Sequence, residues 1–209
     1  MRKSWLAVLM AAPALCIAGS LQPVDLPAPQ TTGGKPLMQA LKERKSSREF
    51  RDAVLPPQVL ANLLWAASGV NRADGRRTAP SAMNTQEIDV YVATANGLFL
   101  YDAKAQKLAT LLADDIRSAT GTQAFVRTAP VNLIYVADFA KMGRTSAETR
   151  VLYSAADAGF ISQNVYLYCA SESLATVVRA SIDREALAKT MRLRPDQRII
   201  LAQSVGYPK

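Results

Sequence analysis

Residues 43–50 read ERKSSREF. Within positions 44–48 they place three cations, Arg44, Lys45 and Arg48, beside two hydroxyls, Ser46 and Ser47. Arginine presents a planar fork of donors that suits a phosphate, and lysine adds a compact point charge. In an extended segment alternate residues point the same way. Arg44, Ser46 and Arg48 are therefore expected to reach one ligand together, with Lys45 and Ser47 turned elsewhere or touching its edge. The plainer reading is a basic helix end, where cations complement the dipole by ~0.3–1 kcal/mol each. A second polar stretch, APSAMNTQ at 79–86, offers a hydroxyl and two amides in a loop just ahead of a strand.

The rest of the composition narrows the chemistry. The chain has no histidine, which excludes a Ser-His-Asp triad, a Cys-His pair and histidine metal ligands. No metal site is expected. No G-x-G-x-x-G follows a strand, and no G-x-x-x-x-G-K-[ST] is present. Asp114 and Asp115 are adjacent, and side chains at adjacent helical positions do not face each other, so they read as a surface helix start. Cys169 lies inside an apolar helix and reads as a buried, inert thiol. If the protein is an enzyme, the reactive group is expected to come from a bound cofactor, with no side chain cast as the catalytic residue.

The elements that must hold these residues follow from patterning. With 209 residues, 49% of them hydrophobic, the chain suits one domain with a real core. Its formal charge of +8 is spread along the chain. That suits an anionic ligand or a solvated basic face; no zinc spacing, aromatic RNA-binding motif or long basic helix points to nucleic acid. Residues 1–20 have a basic start (Arg2, Lys3), an apolar run and small residues at Ala18 and Ser20, the pattern of a cleavable signal peptide. The run is short and broken by Pro13, so no stable membrane span is expected after cleavage. Pro13-Ala14-Leu15 ahead of Cys16 is a poor lipidation signal. A periplasmic or secreted location is expected. After cleavage Cys169 is the sole cysteine, so no internal disulfide is expected.

Residues 21–35 read as an extended leader, and 36–209 as the folded domain. Helices are expected from Pro36 to about Arg44, with Leu37, Ala40 and Leu41 on one face, and from Pro57 to Gly69. IDVYVAT and LFLYD around an ANG turn read as a hairpin. Residues 106–129 read as one or two short helices, and VNLIYVA as a buried strand. Residues 146–172 read as a long helix, apolar on nearly all sides and rich in small residues, as a sandwiched central helix is. A strand, a helix and a last strand close the chain. The fold class is α+β: a mixed or antiparallel sheet flanked by helices around a long central helix.

RKSSREF, then PSAMNTQ some thirty residues later and a strand, resembles the nitroreductase-like FMN flavoproteins. LLWAASGVN, GRRTAPSA, QNVYLYCASESLATVV and VGYP fit as well, most like the branch of the azole-forming peptide dehydrogenases. The resemblance implies that Arg44, Lys45 and Ser46 hold the FMN phosphate and ribityl chain, and that Arg48 lies beside flavin N1 and O2. It implies that Pro80, Ser81, Ala82 and Asn84 reach the flavin of the other subunit of a homodimer. It also implies that Val178, Arg179 and Ala180 turn backbone amides toward N5 and O4. Ser173 and Ala180 stand where that family usually has glycine. A C-terminal phosphate-binding arm usual there is not seen after Gly206, and Glu87-Ile88 replaces the common Pro-Trp. The implied function is an exported FMN oxidoreductase passing hydride or electrons through N5 to a small organic acceptor. The rival is a non-catalytic flavin- or ligand-binding protein of the same fold.

Overall fold

The computed structural model describes residues 21–209; the signal-peptide expectation for residues 1–20 lies outside the described residues. One sheet of seven strands runs in the order β1-β4-β3-β2-β5-β7-β6. Every neighbouring pair is antiparallel. The strands are β1 (Val24–Asp25), β2 (Ile88–Thr94), β3 (Gly97–Asp102), β4 (Lys107–Leu112), β5 (Val131–Asp138), β6 (Ala175–Arg179) and β7 (Gln197–Gly206). Among the described residues four helices accompany it: α1 (Leu37–Glu43), α2 (Pro57–Ser68), α3 (Ala147–Ser171) and α4 (Arg184–Thr190).

β5 is buried along its whole length, because both faces of the sheet are covered. On one face Leu133 and Tyr135 pack with Val90 and Val92 against Leu63 and Leu64 of α2 and Ile161 and Val165 of α3. On the other, Ile134 and Val136 pack with Tyr91 and Ala93 against Leu187 of α4. Each fully buried leucine contributes roughly 1.5–3 kcal/mol.

The helix boundaries follow local chemistry. Pro57 occupies the first turn of α2, where a missing N–H costs nothing, and Gly69 ends it. Ser146 Oγ accepts from Thr149 N at the start of α3, and Asp183 Oδ1 from Ala186 N at the start of α4. α3 ends on Ser173 in the left-handed region (φ +58°), with Leu174 N donating to Cys169 O at 2.8 Å. That is the usual C-terminal wrap of a helix, here with serine in place of glycine.

Three expectations need correction. Residues 107–112 are the strand β4, not a helix. Asp102 Oδ1 accepts from Lys104 N and Ala105 N, and Gln106 takes a positive φ. That side-chain-driven turn folds the chain back on β3. The shortness of the following helices was foreseen, but they are 3₁₀ turns, Arg117–Thr120 and Ala124–Arg127. α1 buries only Ala40, leaving Leu37, Met38 and Leu41 exposed. α3 is enclosed only toward its C-terminal end: Val151, Leu152 and Phe160 are exposed within the single chain, while residues 164–171 are all buried or half-buried. At the β2–β3 turn Gly97 (φ +134°) is required, since a Cβ there would come within 2.2 Å of Leu112 O.

Candidate functional site

The ERKSSREF segment leaves α1 at Arg44 and runs extended along β6. Ser47 N donates to Thr176 O at 2.9 Å, Arg51 N to Tyr207 O at 3.0 Å, and Phe50 bridges to Pro208. Phe50 anchors the segment by packing on Phe125, Ala175 and Val177. The alternation expected of an extended segment is observed, with an unexpected distribution of roles. Lys45, Ser47 and Glu49 line a cavity of about 600 Å³. Arg44 and Ser46 turn to the other side, onto Tyr166 of α3.

The cavity gathers three lysines, Lys35, Lys45 and Lys209, with the hydroxyls of Ser47, Ser173 and Thr176; Glu43 and Glu49 also line it. Lys35 arrives from the leader. Its amide donates to Ser171 Oγ at 2.8 Å, and its ammonium donates to Glu43 Oε2 at 2.7 Å and Ala170 O at 3.0 Å. Gly34 (φ +79°) makes this approach possible, because a Cβ there would fall 2.5 Å from Ser171 Oγ. The Lys35 ammonium holds the Glu43 carboxyl below the usual carboxylate range, with a smaller contribution from Gln39. Cys169, at the cavity wall, is buried, and burial pushes its thiol well up, as expected of an inert cysteine.

Tyr166 joins the cavity to the other face of the segment. It lines the cavity. The Arg44 guanidinium lies 5.1 Å above its ring. Its hydroxyl sits 2.7 Å from Ser46 Oγ, and accepts from the Val178 amide at 3.0 Å. Val178 therefore has its amide engaged by a side chain. Arg179 turns into the protein, where its guanidinium donates to Asn132 Oδ1 and Thr120 Oγ1, at 2.8 and 3.0 Å, and to Thr120 O. Burial pulls its pKa down to about 10, so it stays charged at neutral pH. Ala180 is exposed at the end of β6.

Residues 80–84 lie elsewhere. Ala82 N donates to Asp157 Oδ2 of α3 at 2.9 Å. Ser81 Oγ and Thr85 Oγ1 both donate to Glu87 Oε2, and Ser81 Oγ accepts from Gln86 N. Met83, Asn84 and Gln86 all have positive φ, a strained arrangement for residues with a Cβ. Glu87 is fully buried, and its Oε1 has no hydrogen-bond partner. Burial, then the Glu87 charge, push the Asp157 carboxyl up, against the bond from the Ala82 amide. Asp157 and Tyr166 are nine positions apart on one helix, about 13 Å along its axis.

Of the expected residues, then, Arg44, Lys45, Ser46 and Val178 converge around Tyr166 and the cavity. Arg48 is exposed, two residues beyond Ser46 in the same segment. Pro80, Ser81, Ala82 and Asn84 do not reach that place within one chain. Sequence reasoning missed Lys35 and Tyr166. The signal for Tyr166 was a phenol inside an apolar helix, whose hydroxyl must find a partner. For Lys35 it was the Gly33-Gly34 pair, which marks a backbone that something approaches closely.

The antiparallel sheet flanked by helices is the fold of the nitroreductase structures that this chain matches. The chain belongs to the nitroreductase family, whose model matches residues 41–207. It is similar to "Putative nitroreductase MJ1384" of Methanocaldococcus jannaschii, at 30% identity over 160 residues, 71% of this chain and 81% of that protein. It is also similar to the crystal structure of a "putative nitroreductase" from Ralstonia eutropha JMP134. That match has 44% identity and a TM-score of 0.87, and covers 98% of this chain and 97% of the other. A nitroreductase-fold structure from Desulfovibrio desulfuricans, solved in complex with FMN, shares the fold. Its identity is 22% and its TM-score 0.61, over 84% of this chain and 88% of that one.

Proposed function

We propose that this protein is an FMN-dependent oxidoreductase that works as a homodimer on a small organic acceptor and is exported by its first twenty residues. The observation that carries the reading is the convergence of Arg44 and Ser46 on Tyr166, on the side of the segment away from Lys45. The donor set fits the group: the Arg44 guanidinium and the Ser46 hydroxyl stand side by side over Tyr166, chemistry that suits a phosphate and a polyol chain. Family membership and the FMN complex of the Desulfovibrio relative support the same cofactor.

FMN, when bound, supplies the two-electron chemistry. The protein's part is electrostatic and positional. Arg44 and Lys45 neutralise the phosphate, Ser46 donates to it or to the ribityl chain, and Arg48 favours negative charge on the ring. A second subunit brings its residues 80–84, which one chain holds away from its own Arg44 and Ser46.

The test is the visible spectrum of the purified protein and the titration of its apoprotein with FMN. Flavin absorption bands and a saturable titration are expected. Arg44→Ala should weaken binding by about 1.5–3 kcal/mol, the worth of a charge-assisted hydrogen bond, and an unchanged affinity would refute the assignment. One observation favours the rival, a flavin-binding protein without turnover: the Val178 amide is engaged by Tyr166. Stopped-flow reoxidation of the reduced, loaded protein by a quinone separates the two. The enzyme reading requires a rate that rises with quinone concentration well above that of air alone. Export is tested apart from the chemistry, by N-terminal sequencing of the protein recovered from the cell envelope.

A further inference from the structure

Tyr166 touches Arg44, Ser46 and Val178 at once. Its position in the apolar run of α3, between Val165 and Cys169 of the core, explains its ring. It does not explain the hydroxyl. A buried phenol needs one partner, and this one has two, on two different elements. The direction of the bonds matters. The Val178 amide is a donor, so it consumes acceptor capacity on the Tyr166 oxygen. The phenolic proton is then available for Ser46 Oγ, 2.7 Å away. A serine whose oxygen accepts from a phenol keeps its own proton for a third group. Ser46 is exposed, so that third group lies on the solvent side.

We infer that Tyr166 is a positioning residue. Its hydroxyl, oriented by the Val178 amide, fixes Ser46 as a hydrogen-bond donor to an oxygen of the bound cofactor's phosphate or ribityl chain. The inference rests on the flavin reading of this site and adds a residue and a bond direction to it. A lone serine hydroxyl rotates and donates to whatever is near, water included. With its oxygen held by Tyr166, its proton is restricted to the directions a ligand oxygen can occupy. The ring of Tyr166 has a separate part, since the Arg44 guanidinium over its face holds the neighbouring cation near the same ligand.

The experiment is a double-mutant cycle on FMN affinity with Tyr166→Phe and Ser46→Ala, measured by titrating apoprotein. Melting temperatures of the four apoproteins are read alongside. Phe keeps the ring under Arg44 and removes only the hydroxyl. Tyr166→Phe is expected to weaken FMN binding about tenfold. In the Ser46→Ala background it should add less than about twofold, because the hydroxyl acts through Ser46. The apoprotein should melt within a few degrees of the wild type. Three results would overturn the inference. Affinity could be unchanged or tighter in Tyr166→Phe, making the hydroxyl a placeholder for the ligand. The two losses could multiply, making Tyr166 independent of Ser46. Or the Tyr166→Phe apoprotein could fail to fold, making the hydroxyl an element of stability. Wild-type protein that binds no FMN would instead sink the flavin reading itself.

Discussion

Arg48 carries the most direct electrostatic consequence of the site. It stands two and four residues beyond Ser46 and Arg44 on an extended segment, so alternation is expected to put it on their face. A cation there stabilises the reduced, anionic ring more than the oxidised one. Arg48→Ala should lower the two-electron potential by several tens of millivolts, since ~1.4 kcal/mol corresponds to about 30 mV. Photoreduction against a reference dye measures it, at matched flavin loading. A change under about 10 mV, or one toward positive potential, would place Arg48 away from the ring. At this scale the sequence was half legible. Arg44, Lys45 and Ser46 announce themselves by type and spacing. Tyr166 does not, because an aromatic between Val165 and Cys169 reads as core. Lys35 is held at the cavity by Ala170 and Ser171, 135 and 136 positions away in the chain, and no local pattern encodes such contacts.

At the scale of elements, α3 and the loop before β2 form a coupled unit. Asp157 and Glu87 are both buried, and together they hold Ser81, Ala82 and Thr85. The native state raises the Asp157 pKa, so it binds that proton more tightly than the unfolded chain does. The stability this contributes is present at and below the ordinary carboxylate range. It is lost as pH rises through the raised value. Glu87→Gln removes the neighbouring charge that, after burial, raises the Asp157 pKa. The variant's melting temperature is therefore expected to fall less than the wild type's as pH rises from about 4 toward neutrality, through and above ordinary carboxylate pKa values. Parallel curves would mean that the two carboxyls do not sense each other. The strands and helices themselves were mostly readable from periodicity, capping residues and turn glycines. β4 was not, because Leu108, Leu111 and Leu112 fit a helical spacing as well as a strand. The deciding turn depends on the side chain of Asp102.

For the whole molecule the open question is what covers α1 and α3. Leu37, Met38, Val151, Leu152 and Phe160 are between 48% and 75% exposed, an apolar total unusual for a free surface. The two polar segments also stand about 13 Å apart along α3. The homodimer proposed above would account for both. Obligate interfaces bury more than about 2,000 Å², and light scattering should find a dimer. A Leu152→Asp, Phe160→Asp double variant should become monomeric, keep its far-ultraviolet circular dichroism and lose its flavin. A flavin-loaded monomer would refute the assembly. The small-residue helix hinted at this in the sequence, while the bare face of α1 did not, because its apolar stripe reads equally well as core.

The leader has a consequence of its own. β1 pairs with β4 through Val24 and Leu108, Gln30 N donates to Asn62 Oδ1, and Lys35 is bonded to the end of α3. A recombinant protein started at Pro36 would retain every residue from α1 onward, yet Lys107 and Leu108, the β4 residues that β1 pairs, would join the rest of β4 as bare sheet margin. Unpaired margins recruit strands from other molecules. Where production is concerned, the soluble unit therefore opens near Leu21, and a tag joined directly ahead of α1 invites precipitation.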